Sequence, residues 1–239
     1  MISPKSELET DYNNQNKSLF NPIKSSGEER KSLSHWILNF LLTTNRFKLL
    51  KMIDFYIDKK SLILDLGCNI GALTGPLSLR AKTIGLDIDK EKLFWAKKFN
   101  HHIEFICCDL CNLPLRESSV DIVIASSVLE HIENLQSAIK EIKFVLTKQG
   151  QMATGYPLET RLLEFAVKLF YRSESSTWEQ HNIRKYKELL KSPHTHKQNF
   201  VEIRKILQKD FLHLKTRKIP QNSFPDFLSI YEIKVLVIK

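Results

Sequence analysis

From residue 61 to residue 157 two hydrophobic rhythms alternate along the chain. Ser61 to Asp65, Thr83 to Asp87, Ile103 to Cys107 and Val120 to Ala125 are short apolar runs. Runs of this length predict strands buried on both faces. Between them lie stretches with helical spacing: Gly71 to Leu79, Lys90 to Phe99 and Leu135 to Leu146. Gln149-Gly150 predicts a turn into a fifth strand near Met152 to Tyr156. Strands alternating with helices at this pace predict right-handed crossovers and a parallel sheet.

Outside that core the rhythm differs. Ser34 to Tyr56 has helical periodicity, with Asn45 as a break between two helices. Residues 158–198 read as inserted helices, including Leu162 to Tyr171 and Ile183 to Leu190, and Phe200 to Lys209 reads as a further helix. Ser229 to Ile238 alternates like a strand and is expected to pair antiparallel with one near Leu212 to Ile219. The expected fold is an open, mostly parallel α/β sheet with helices on both faces, a C-terminal antiparallel strand pair and a helical insertion after the fifth strand. Residues 1–30 read as a polar, mobile tail and residues 31–239 as one domain. Within it, 31–60 are N-terminal helices, 61–157 the ligand-binding core, 158–198 a substrate lid, and 199–239 a closing helix and strands. An insertion after the fifth strand lies over the carboxyl ends of the strands, where open α/β sheets bind ligands.

Composition narrows this picture only a little. The 239 residues suffice for one sizeable core, and 42% apolar with 26% charged residues is ordinary for a soluble protein. The first residues lack the apolar core of a signal peptide, and His35 to Leu42 is far shorter than the roughly 20 residues that span a bilayer. A cytoplasmic location is therefore expected. The formal charge of +9 reads first as a lysine-rich solvated surface and second as a match for an anionic partner. Cys107, Cys108 and Cys111 cluster in one short segment, but a single C-x-x-C pair lacks the second ligand pair of a zinc site, so no metal is expected.

The candidate chemistry sits in Leu64-Asp65-Leu66-Gly67-Cys68-Asn69-Ile70-Gly71. A strand ends in a carboxylate and a glycine-spaced loop follows. The dinucleotide pattern G-x-G-x-x-G would need glycine at 67, 69 and 72, and only Gly67 fits. A carboxylate two residues before the first glycine would repel a pyrophosphate and attract a cation. A cationic, phosphate-free ligand is the better match. Asn69 replaces the usual middle glycine. Asparagine tolerates left-handed backbone angles, so Asn69 is expected at positive φ.

The segment Asp65-Leu66-Gly67-Cys68-Asn69-Ile70-Gly71 resembles the first motif of the class I S-adenosylmethionine-dependent methyltransferases, D/E-x-G-x-G-x-G, and departs from it at Asn69. Further resemblances follow in order. Gly85-Leu86-Asp87 is similar to the second-strand acid that takes the ribose hydroxyls, and Cys108-Asp109-Leu110 to the third-strand acid that accepts from the adenine amino group. Val120 to His131 is similar to the fourth-strand motif of the small-molecule branch. The resemblance covers about residues 60–157. It implies a Rossmann-like fold, S-adenosyl-L-methionine as cofactor, and a cofactor site made by Asp65, Gly67, Cys68, Asn69, Gly71, Asp87, Ile88, Asp109, Leu110 and Ser126.

Each position also has a plain structural reading. Asp65 could cap the loop, Asp87 could cap the next helix (Asp89 is the better placed cap), Asp109 could belong to a turn, and Glu130 and His131 could start a helix. The resemblance implies methyl transfer to a small molecule, aromatic or lipid-like in class. His131 is the candidate general base, with His181, His194 and His196 as further candidates in or beside the insertion. Ubiquinone-type O-methyltransferases carry a related E-x-x-E-H segment; here Ser127 stands at the first glutamate, which argues against a metal. Phe165, Phe170, Tyr171 and Trp178 make the insertion a candidate roof for an apolar pocket or a peripheral membrane contact. The alternatives are an RNA methyltransferase and a non-catalytic cofactor-binding partner subunit. Neither an N/D-P-P-Y/F segment nor a Pro-Cys nucleophile is present, which disfavours nucleic-acid bases as acceptors.

Overall fold

The computed structural model describes residues 45–158, 197–219, 229 and 231–239. The expected tail, the lid helices within 159–196 with their histidines and aromatics, and the helix before Asn45 lie outside the described residues.

Seven strands form one sheet: β1 (Leu62–Leu66), β2 (Lys82–Asp87), β3 (Glu104–Cys107), β4 (Val120–Ser126), β5 (Leu146–Pro157), β6 (Phe211–Ile219) and β7 (Tyr231–Ile238). Their order is β3-β2-β1-β4-β5-β7-β6. β1 to β5 are parallel, and β7 runs antiparallel to both β5 and β6. Strand order reverses between β1 and β4, so the loops after these strands flank the switch point where such sheets bind ligands.

The helices are α1 (residues 45–53), α2 (Thr74–Ser78), α3 (Lys90–Phe99), α4 (Leu135–Val145) and α5 (Phe200–Asp210). Side chains cap three of them. Asp89 accepts from the N–H groups of Glu91 and Lys92, Asn134 from Ser137, and Asn199 from Val201 and Glu202. One face of the sheet buries Leu135, Ile139 and Ile142 of α4 with Ile203 and Leu207 of α5. The other buries Leu49, Leu50 and Ile53 of α1 with Leu77 of α2.

Two boundaries differ from the expectation. The Gln149-Gly150 turn does not separate α4 from β5. The strand begins at Leu146, paired with Val120, and the register then jumps so that Ile122 faces Gln151. Residues 147–150 are thus an irregularity inside one long strand, because Leu146 is held in the core at the start of the pairing. The helix expected from Gly71 is regular only over Thr74–Ser78. The residues before it are spent on turns that return the loop to the sheet.

A polar cluster locks α5 to the antiparallel pair. Arg204 donates from Nε to Glu232 Oε2 at 2.8 Å and from Nη2 to Oε1 at 2.9 Å. Tyr156 donates to Glu232 Oε2 at 2.5 Å, and Lys234 Nζ lies 3.4 Å from that oxygen. Burial alone would raise Glu232; the bonds from Arg204 and Tyr156, with the charges of Lys234 and Arg204, hold it below the usual carboxylate range. A depressed carboxylate stabilises the fold at neutral pH, and that contribution is lost on acidification. Arg204→Leu strands this carboxylate and is expected to cost about 3 kcal/mol of unfolding free energy at pH 7, with a smaller penalty at acid pH, as read by urea denaturation.

Candidate active site

The loop after β1 closes through its own backbone. Cys68 donates its N–H to Leu86 O and Gly71 donates to Cys68 O, both at 2.9 Å. Gly67, Asn69 and Gly71 have φ of 62°, 52° and 81°. Three alternate positions are left-handed, and the expected positive φ at Asn69 is present. Its N–H donates to Asp87 Oδ2 at 2.8 Å, and its own Oδ1 accepts from the Ile70 N–H. The loop is thus tied to the end of β2. A Cβ on Gly67 would lie 2.4 Å from Val128 Cγ2, and one on Gly71 would lie 2.8 Å from Asn100 Nδ2. Both glycines are fixed by close approach as well as by backbone angle.

Asp65 is 1% exposed, and its Oδ2 accepts from Thr74 Oγ1 at 2.6 Å. Burial raises its carboxyl to about 7, and Asp87 adds to the rise; the Thr74 bond and the Arg46 charge oppose it. The site therefore holds a carboxylate that lacks full compensation. Arg46, at the start of α1, also acts on Tyr231, which places it among the groups near this edge. Asn45 beside it has a buried Oδ1 without a hydrogen-bond partner.

Asp87 is buried at the end of β2, where its Oδ1 accepts from the Asp89 N–H. Asp89, not Asp87, caps α3. Ile88 between them is exposed. Asp109 is exposed after β3 and accepts from the Cys111 N–H at 2.9 Å, so the turn reading of this residue applies as well. Cys108 donates its N–H to Asp87 O, which sets this turn against the end of β2. Leu110 and Cys68 point into the protein, and burial beside Asp65 and Asp87 pushes the Cys68 thiol well up. Burial raises Cys108 to about 11 and also raises Cys111, which makes these thiols weak nucleophiles and ligands. Among the described residues no group of three or more His, Cys, Asp or Glu side chains could hold a metal ion.

β4 ends at Ser126, and Ser127 follows at φ 53°. The Ser127 N–H donates to Gly155 O at 2.7 Å, and its Oγ is 2.8 Å from Tyr231 Oη. The serine at the expected first-glutamate position is therefore occupied by a tyrosine from β7. Burial pushes Tyr231 up to about 12. Leu129 to His131 form a 3-10 turn rather than the start of a long helix; Glu130 is buried and His131 exposed. All the sequence-derived candidates lie at the carboxyl edge of the strands. Asp65, Asn69, Asp87 and the 109 turn are joined through the contacts above. An open cleft of about 470 Å³ between α4 and α5 includes none of them.

Arg46, Asn45, Thr74 and Tyr231 escaped the sequence reading. Thr74 follows the glycine loop closely enough to be guessed as a partner of Asp65. The others come from distant parts of the chain, and no spacing rule finds them.

The fold and loop define a Rossmann-like α/β domain of the class I methyltransferase type. Residues 64–154 match the family model described as a methyltransferase domain. Through this segment the chain belongs to the class I S-adenosylmethionine-dependent methyltransferases. An uncharacterised protein of Methanocaldococcus jannaschii is 35% identical over 94 residues, 39% of this chain and 40% of its own length. The ubiquinone biosynthesis O-methyltransferase of Bradyrhizobium diazoefficiens is 34% identical over 98 residues, 39% of this chain and 38% of its own length. The chain thus matches about two fifths of the length of these relatives. Among solved structures, the N-methyltransferase NodS from Bradyrhizobium japonicum superposes with a TM-score of 0.59 at 15% identity, covering 84% of this chain and 97% of that one. A Pyrococcus horikoshii protein gives 0.59 at 18% identity, covering 82% and 91%. At these identities the likeness shows the fold.

S-adenosyl-L-methionine is the cofactor of this class. The residues fit it: a buried carboxylate short of positive charge, an acid at the end of β2, and a loop whose glycines admit no Cβ.

The raised carboxyl of Asp65 carries a sign. A group whose pKa rises on folding costs stability once it ionises, so the cost grows from about pH 4 to about pH 7 and reaches roughly 4 kcal/mol. Asp65→Asn is expected to stabilise the ligand-free protein above pH 7 and to flatten that part of its pH profile, as measured by thermal unfolding from acid to neutral pH.

Proposed function

We propose that the protein transfers a methyl group from S-adenosyl-L-methionine to a small-molecule acceptor. The observation that carries this reading is the buried Asp65 carboxylate beside the Gly67–Gly71 loop, an anionic position suited to a cationic ligand and hostile to a phosphate. One relative is named for O-methylation in ubiquinone biosynthesis and a structural neighbour for N-methylation, which supports a small acceptor.

The bound cofactor supplies a sulfonium methyl for in-line displacement. Asp65 takes the cationic amino-acid end, with Gly67 and Gly71 allowing close approach. Asp87 accepts from the ribose hydroxyls, since one carboxylate can take both hydrogens of a diol. In the ligand-free state the same carboxylate holds the Asn69 and Asp89 N–H groups, so it is oriented before the ligand arrives. Ile88 and the segment Asp109-Leu110 border the adenine, and Cys68 and Ser126 complete the wall. Arg46 is the cation suited to the cofactor carboxylate. His131, exposed in the turn after β4, holds the acceptor proton where the acceptor is a hydroxyl or an acidic carbon. The lid over residues 158–198 covers the acceptor, and a single domain spans 31–239.

Calorimetry tests the cofactor site. S-adenosylhomocysteine should bind, NAD should not, and Asp87→Ala should weaken the former at least about tenfold, the loss of one charged hydrogen-bond acceptor; tight NAD binding without S-adenosylhomocysteine binding contradicts the reading. Affinity should also fall as pH drops through about 7, where Asp65 takes up its proton, and that inflection should vanish in Asp65→Asn.

A further inference from the structure

On the sheet face that carries α1 and α2, the segments leading into β1, β2 and β3 put apolar side chains into solvent. Phe55, in the 3-10 turn after α1, is 89% exposed, and Leu79, just past α2, is 52% exposed. Phe94 and Phe99 of α3 are 64% and 41% exposed. Contacts gather these segments on one side. Arg80 Nη2 is 2.7 Å from Asp54 Oδ1, which ties the Phe55 turn to the end of α2. Ser78 Oγ is 3.4 Å from His102 Nε2, which ties the end of α2 to the end of α3. Gly71 packs closely against Ala96 and Asn100, so α3 lies beside the α2 segment.

Lysines surround this apolar surface: Lys59, Lys60, Lys82 and Lys98 are all exposed. Of the nearby acids, Asp54 is engaged by Arg80 and Asp58 accepts the Lys60 N–H. The surface therefore combines protruding hydrocarbon with net positive charge. Its ring faces do not suit nucleic-acid bases. Trp95 stacks on Phe99 at 6.0 Å between centroids and 25° between planes, and the Lys98 ammonium sits 4.7 Å from the Trp95 centroid. Leu79 has no ring to offer. Hydrocarbon flanked by lysine is the chemistry of an interface with anionic lipid.

We propose that this surface docks the protein on an anionic lipid bilayer, with Phe55, Leu79 and Phe94 entering the interface and the surrounding lysines meeting headgroup charge. The contact lies at the amino ends of the strands, so the carboxyl edge with its loop faces the aqueous side. It stands apart from the methyltransferase reading and survives that reading's failure.

Sedimentation of the full chain with vesicles tests it. Binding is expected to equimolar phosphatidylcholine and phosphatidylglycerol, to weaken with salt, and to be absent with phosphatidylcholine alone. Phe55→Ser and Phe94→Ser should each lower partitioning about tenfold. Lys82→Gln combined with Lys98→Gln should lower it about thirtyfold. This lysine pair is fully on the surface and guards against loss of fold in the phenylalanine variants, as do unchanged thermal unfolding and S-adenosylhomocysteine affinity. No binding to the anionic vesicles overturns the proposal, as does wild-type binding by the variants. A soluble single-stranded RNA that binds and is lost with the same substitutions assigns the surface to nucleic acid instead. Concentration-dependent dimers abolished by Phe94→Ser assign it to a second copy of the chain.

Discussion

The carboxyl edge is organised around one carboxylate that the protein itself does not neutralise. Asp65 sits inside the parallel sheet, opposite Gly85 of β2 and Ile124 of β4. No water reaches it, one hydroxyl bonds it, and the nearest named cation acts from another helix. A purely structural position would favour a neutral side chain there. Keeping an acid at a cost in stability is the mark of a site shaped for something other than folding. The glycine loop, Thr74 and Arg46 make sense as the surroundings of that charge.

The other acid, Asp87, does a different task. Its two oxygens gather the N–H groups of Asn69 and Asp89, one from the glycine loop and one from the cap of α3. It thereby couples the loop after β1 to the helix after β2. The left-handed Ser127 turn plays a similar part on the far side. Tyr231 holds Ser127, and Val128 then fills the space beside Gly67. The loop is braced from both neighbouring strands, so its geometry is set before any ligand binds.

The two ends of the sheet differ in chemistry. The carboxyl edge gathers buried acids around a strained loop. The amino edge on the α1–α2 face presents phenylalanine, leucine and lysine to solvent. The Arg204–Glu232–Tyr156 cluster fixes β7 and α5 to the parallel core. That brace also determines where Tyr231 enters the site.

The sequence by itself determined the parallel core, the order of its elements and the acids and glycines of the loop. Their signals are local: strand ends in Asp65 and Asp87, glycine spacing, and an asparagine able to take positive φ. Even the antiparallel β6–β7 pair was legible from alternation. The extent of β5 was not, because Leu146 is drawn into the strand by pairing with Val120, a long-range contact that overrides the local turn signal of Gln149-Gly150. Arg46, Asn45 and Tyr231 likewise escaped notice, since their place near Asp65 and Ser127 exists only once α1 and β7 pack on the sheet. Tertiary structure also decided what each acid does: it left Asp65 short of charge and gave Asp87 two backbone partners, because burial and hydrogen bonding depend on what surrounds a side chain and not on its neighbours in sequence.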